Sequence, residues 1–278
     1  MQKFLICDMD NTLTTFPSYI AMPRLEKYLE ELLGPRKARK ICRFMDQFNA
    51  TVYKKAKGVP LSKEDRLWLG LTEKKFKFLL KDMIILGNPS ELFWSRELWL
   101  RLASARVTPN IAVSATQKFW RVIAIKAREY DDSYGFLRWL RRDHPEWELV
   151  VVSSSDSHLY VKDGKFVYDP EYSDQGKRNR IPASLLDISG NNIFVGDPIS
   201  KPRPEFWERV LTNICYNQGE DIAIMVGDSY ASDIIGVSRY GITPVLIDRD
   251  NKTRPSDVPE AKYVIKNFCE LQEVLRVR

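Results

Sequence analysis

The chain has 278 residues, of which 44% are apolar and 29% charged, and a net charge of +6. That composition supports one large or two modest domains, and no apolar run nears the roughly 18 residues needed to span a bilayer. With only two histidines, histidine-rich metal centres are excluded and a Ser/His/Asp triad has little to draw on, so the chemistry is expected to rest on carboxylates.

The opening run Phe4 to Cys7 is too short for the apolar part of a secretory signal. The four cysteines (Cys7, Cys42, Cys215, Cys269) lack the paired spacing of a zinc or redox site, which predicts reduced, mostly buried thiols in a cytoplasmic protein. Charge divides the chain. Residues 15–129 hold 23 Lys+Arg against 11 Asp+Glu, whereas the remainder holds 20 against 26, which predicts two parts with different tasks.

Residues 22–129 read as successive helices. Pro23 suits a first helical position, Leu25, Leu29, Leu32 and Leu33 follow at helical spacing, and Gly34-Pro35 ends the run. A second helix would bury Ala38, Ile41, Cys42 and Met45 and expose Arg36, Lys37, Arg39, Lys40 and Arg43. Thr72 and Ser90 are expected to cap two more. Beyond residue 130 short apolar runs alternate with amphipathic stretches: Leu149 to Val152, Ile193 to Val195, Ile222 to Val226, Val245 to Ile247 and Tyr263 to Ile265. These are the buried strands of a parallel α/β sheet, and Phe4 to Cys7 is of the same kind. The pattern predicts a Rossmann-like α/β core (1–14 and 130–278) into which an all-helical domain (15–129) is inserted. Tyr160 to Val167 suggests an added hairpin.

Polar motifs follow four of these segments. Asp8 and Asp10 sit at i and i+2 on an extended strand end, where both can face one ligand, one attacking while the other moves a proton. Ser153, opening a Ser-Ser-Ser-Asp run, can donate to a phosphoryl oxygen. Lys201, held between Ser200 and Pro202, can offset a phosphate and crowded carboxylates. Gly227 lets the strand turn, so that Asp228, with Asp233 one helical turn on, can offer hard oxygen ligands to Mg²⁺. Taken singly, each also reads as a turn, a cap or a surface group. His158 near the Ser153 motif reads as a solvated loop histidine.

Together and in order, DMDNTLT (8–14), VVVSSS (150–155), KPRPEF (201–206) and GDSYASD (227–233) resemble the signatures of the haloacid dehalogenase superfamily of Asp-nucleophile phosphohydrolases. The resemblance covers about 1–14 and 130–278, and places 15–129 where family members insert a helical cap. It implies Asp8 as nucleophile, Asp10 as acid and base, Ser153 and Lys201 on the phosphoryl oxygens, and Mg²⁺ held by Asp8, the Asp10 carbonyl and Asp228 with Asp233 in support. The implied substrate is a small phosphorylated metabolite or a nucleotide. Two other readings share these residues: a phosphomutase of the same superfamily, and a protein that binds or processes nucleic-acid ends through the basic cap. In the last, the charges of residues 36–57 would act with Trp68, Trp94, Trp99 and Trp120; the alternative is that the charges coat solvated faces and the tryptophans fill the cap's own core.

Overall fold

The structure, a computed structural model, describes residues 1–56, 60–87, 89–190 and 192–276. In chain order, β1 (Lys3–Asp8) leads to α1 (Ser18–Leu33), α2 (Pro35–Ala56), α3 (Lys63–Leu80), β2 (Ile84–Ile85), α4 (Arg96–Ala103) and α5 (Pro109–Lys126). After α6 (Asp131–Asp143) come β3 (Trp147–Ser153), β4 (Leu159–Lys162), β5 (Lys165–Tyr168), α7 (Pro170–Arg178), α8 (Ala183–Ser189) and β6 (Ile193–Val195). The chain closes with α9 (Pro204–Asn213), β7 (Ile222–Gly227), β8 (Thr243–Ile247), β9 (Tyr263–Ile265) and α10 (Phe268–Arg276).

All six apolar runs expected to be strands lie in one parallel sheet of order β6-β3-β1-β7-β8-β9. Its strands are apolar throughout because helices cover both faces. Leu5 and Cys7 of β1 pack with Phe136 of α6 and Phe268 of α10, while Phe4 and Ile6 pack with Phe206 and Trp207 of α9. The chain leaves β1 towards β3 on one side and β7 on the other. The carboxyl ends of these three strands therefore flank the crevice in which open α/β sheets place their ligands.

The helices between β1 and α6 gather round a separate apolar cluster that includes Leu25, Met45, Phe48, Phe76, Leu98, Trp99 and Phe119. The exposed face of α2 carries Arg36, Lys37, Arg39, Lys40 and Arg43, as its spacing predicts. Lys54 pairs with Asp65 at 3.4 Å; Lys57 lies outside the described residues, as does the side chain of Lys55. The tryptophans are interior: Trp99 and Trp120 are buried, and Trp68 and Trp94 pack against the cluster. The expected hairpin is β4-β5; β2 pairs with β5, and Leu159, Phe166 and Tyr168 join the helical cluster.

Three local expectations need correction. Pro23 lies inside α1, which starts at Ser18, so its missing N–H falls within the helix. Thr72 is in the middle of α3: Ser62 caps that helix by accepting from the Asp65 N–H, and the Thr72 hydroxyl donates to the Trp68 carbonyl. The helix expected from Ser90 starts at Arg96, after a 3₁₀ turn over Pro89–Trp94. Of the thiols, Cys7 and Cys42 are buried, whereas Cys215 and Cys269 are exposed. No helix among the described residues is long and apolar enough to cross a membrane.

Candidate active site

Asp8 is the last residue of β1 and is buried among charges. Lys201, only 1% exposed, donates to Asp8 Oδ1 at 2.5 Å and lies 2.7 Å from Asp233 Oδ1. Carboxylate oxygens of Asp8, Asp228 and Asp233 fall within 4.8 Å of one another. Burial pushes the Asp8 carboxyl up to about 8; Lys201 pulls against this, while Asp233 and Asp228 add to it. Burial alone would lower the Lys201 ammonium, but Asp233 and Asp8 outweigh it and hold the lysine above its usual range. With Asp8 ionised, three carboxylates against one ammonium leave two negative charges, which a divalent cation with hard oxygen preference would neutralise in place of the proton, so the donor set fits Mg²⁺. Asp233 is fixed by the Ser229 N–H at 2.9 Å and the Ser232 hydroxyl at 3.1 Å. Gly227 makes room for it: a Cβ there would lie 2.0 Å from Asp233 Oδ2.

Ser153 ends β3, beside β1 in the sheet. Its hydroxyl is buried and has no hydrogen-bond partner among the described residues. A buried hydroxyl without a partner is costly, and a phosphoryl oxygen would satisfy it. Asp10 meets a different set of groups from Asp8. Arg180 donates to both its oxygens, at 2.8 and 2.6 Å, and Lys177 to one, at 2.7 Å. The same two cations hold Asp156: Arg180 Nε at 2.6 Å and Lys177 at 3.0 Å. Burial would raise Asp10, but Arg180 and then Lys177 outweigh it and hold the carboxyl down at about 2. Asp156 is lowered by the same opposition.

The parallel sheet with motif residues gathered at its strand ends has counterparts among known proteins. A HAD-hydrolase-like family model matches residues 198–271, which contain Lys201, Asp228 and Asp233. Along the whole chain the fold matches a HAD phosphatase from Thermococcus onnurineus, with a TM-score of 0.58, 20% identity and 98% and 97% of the two chains covered. These likenesses show a HAD-like fold, with a HAD-hydrolase-like segment over residues 198–271. A HAD-hydrolase of Bacillus subtilis, solved bound to magnesium, matches with a TM-score of 0.57 at 17% identity over 99% and 98% of the chains. Phospholysine phosphohistidine inorganic pyrophosphate phosphatase of Bos taurus is 36% identical over 81 residues, which are 28% of this chain and 29% of that relative's length.

Sequence reasoning missed much of what surrounds these motifs. Lys177 and Arg180 fall in a basic stretch at the end of α7, where cations ordinarily complement the helix dipole. Only their burial, 1% and 8% exposed, shows that they turn inward. A signal was available: the Lys-Arg-Asn-Arg run at 177–180, between the expected hairpin and the Ile193 to Val195 strand. His158 is a correction. It is not a solvated loop residue: its ring packs 5.1 Å from that of Trp120, and its Nε2 lies 3.7 Å from Asp156. Gly176 permits this, since a Cβ there would come 2.5 Å from the imidazole.

Proposed function

We propose that the protein is a Mg²⁺-dependent phosphatase that cleaves a phosphate monoester through an aspartyl-phosphate on Asp8. The observation that carries this reading is the juxtaposition of Asp8, Lys201, Asp228 and Asp233 at the carboxyl ends of β1 and β7. An Asp8 oxygen attacks phosphorus in line, the bond from phosphorus to the leaving oxygen breaks, and that oxygen receives a proton from Asp10. Asp10 then takes a proton from water as the water oxygen attacks the aspartyl-phosphate, which frees phosphate and restores the Asp8 carboxylate. The Ser153 hydroxyl and the Lys201 ammonium bind phosphoryl oxygens. Asp8, Asp228 and Asp233 would hold Mg²⁺, whose charge lets an anionic nucleophile approach an anionic phosphate.

Arg180 and Lys177 surround Asp10 and hold its carboxyl down at about 2, which favours the ionised form. For it to carry a proton, those two cations must turn part of their charge to the arriving phosphate, which competes for the same N–H donors. On this reading, Lys177 and Arg180 couple substrate arrival to the proton affinity of Asp10. The helices between β1 and α6, together with the β4-β5 hairpin, would act as the cap that excludes bulk water. The test is phosphate release from an aryl phosphate with and without Mg²⁺. Asp8→Asn should abolish turnover while its melting temperature stays at or above the wild-type value. Turnover that survives this substitution, or that is indifferent to a chelator, would overturn the mechanism. Release of free phosphate, rather than transfer to a bound sugar, separates a phosphatase from a phosphomutase.

A further inference from the structure

Arg96 opens α4, and its guanidinium carbon lies 4.6 Å from the ring centres of Phe119 and Trp120, 5.3 Å from Trp99 and 5.4 Å from Phe16. Among the described residues the guanidinium makes no ion pair and no hydrogen bond. Arginine presents five N–H donors in a rigid fork and keeps its charge. Stacking on aromatic faces offsets part of the desolvation but gives those donors no acceptor. The nearby carboxylates are engaged elsewhere: Asp10 and Asp156 face Lys177 and Arg180, and Glu97 accepts from the Ser95 hydroxyl at 2.8 Å. A second donor beside Arg96 is also unmatched. The Trp120 indole N–H is buried and finds no acceptor among the described residues.

These unmatched donors lie close to the reacting end of the site. Phe16 and Trp120 carry Arg180 on their rings as well as Arg96, at 5.6 and 5.3 Å, and Arg180 is the group that clamps Asp10. Arg96 therefore shares the Phe16 and Trp120 rings with the arginine that clamps Asp10. We infer that Arg96 and the Trp120 N–H form a subsite for a second anionic group, a carboxylate or a second phosphate, on the leaving portion of the substrate. This rests on the phosphatase reading for the end of the substrate that faces Asp8. A planar anion there would take a bidentate grip from the fork of Arg96 and accept from the indole.

The inference is testable without turnover. Short alkylphosphonates that end in a carboxylate, in a second phosphonate or in a hydroxyl resist hydrolysis, and their binding can be measured by calorimetry with Mg²⁺ present. At least one doubly anionic compound should bind about tenfold or more tightly than the hydroxyl compound. The carboxylate and bisphosphonate arms tell which anion the subsite takes. Arg96→Gln should remove the advantage, Arg96→Lys should retain part of it, and Trp120→Phe should reduce it. The quantity read is the ratio of affinities within each variant, so a general loss of folded protein does not imitate the result. Equal affinities in the wild type, or an advantage that survives Arg96→Gln, would overturn the subsite. A wild type that shows the preference yet releases no phosphate from any ester would instead overturn the phosphatase reading and leave the subsite standing.

Discussion

Lys201→Met isolates the electrostatics of the site from its chemistry. The ammonium is 1% exposed and is placed 2.5 Å from Asp8 and 2.7 Å from Asp233, so its removal leaves buried carboxylates facing one another with no cation between them. Removing one partner of a buried pair costs about 3–5 kcal/mol, which for a chain of this size lowers Tm by roughly 6–10 °C. Protonation limits the loss. The Asp8 carboxyl is pushed up to about 8 by burial, so below that pH it holds a proton and the repulsion falls. The deficit of the variant should therefore widen between pH 6 and pH 9 in the presence of a chelator. Mg²⁺ binds a site with one more net negative charge in the variant, so its stabilising shift should be larger than in the wild type, whatever the variant's turnover. Differential scanning fluorimetry across pH, with and without Mg²⁺, checks each part. A deficit under 2 °C in chelator at pH 9, or equal Mg²⁺ shifts in the two proteins, would refute the view that Lys201 and the metal balance one carboxylate cluster.

Wild-type protein in chelator should lose stability as pH rises from about 4 towards about 8, because the folded state keeps a proton on Asp8 that the unfolded chain has released; chemical unfolding at several pH values, repeated with Mg²⁺, should show the slope flatten when the metal takes the place of the proton. Gly227→Ala should lower kcat/KM by about 100-fold or more and weaken Mg²⁺ binding, since the new methyl group would displace the Asp233 carboxylate; a variant with normal metal affinity would refute this. Asp10→Asn should slow alkyl phosphates more than aryl phosphates, because the poorer leaving group depends more on protonation, and equal losses on both would remove Asp10 from the acid role. Neutralising Arg36, Lys37, Arg39 and Lys40 on the exposed face of α2 should leave the salt dependence of turnover of a single-phosphate ester unchanged; a steep change with oligonucleotide ends as substrates would instead give that face a part in capturing nucleic acid.

The division between what could and could not be read from the sequence follows the range of the forces involved. The sheet was legible because a strand buried on both faces leaves an unbroken apolar run, and each such run, from Phe4 to Cys7 through Tyr263 to Ile265, has its place in the sheet. Asp8, Lys201, Asp228 and Asp233 were legible for a related reason: each belongs to a short motif at the end of a strand or in its following loop, so the fold that gathers strand ends gathers them too. The helix starts were less legible. Ser62 and Thr72 are equally good caps by type, and only the burial of Leu69 against the helical cluster decides that the helix already exists before Thr72. Lys177 and Arg180 are marked only weakly, by the basic run 177–180, because a basic residue at a helix C-terminus satisfies the dipole whether it points to water or inward, and Arg96, in the first turn of α4, carries no local signal of its place. What distinguishes them is a set of long-range partners, Asp10 at 167 and 170 residues' separation for the first two and the Phe16 and Trp120 rings for the third. The residues around Asp8 are thus written in motifs, whereas those around Asp10 are written mainly in tertiary contacts. On the proposed function, substrate choice would be decided on that second side, so the motif set points to phosphoryl chemistry before it points to the molecule that carries the phosphate.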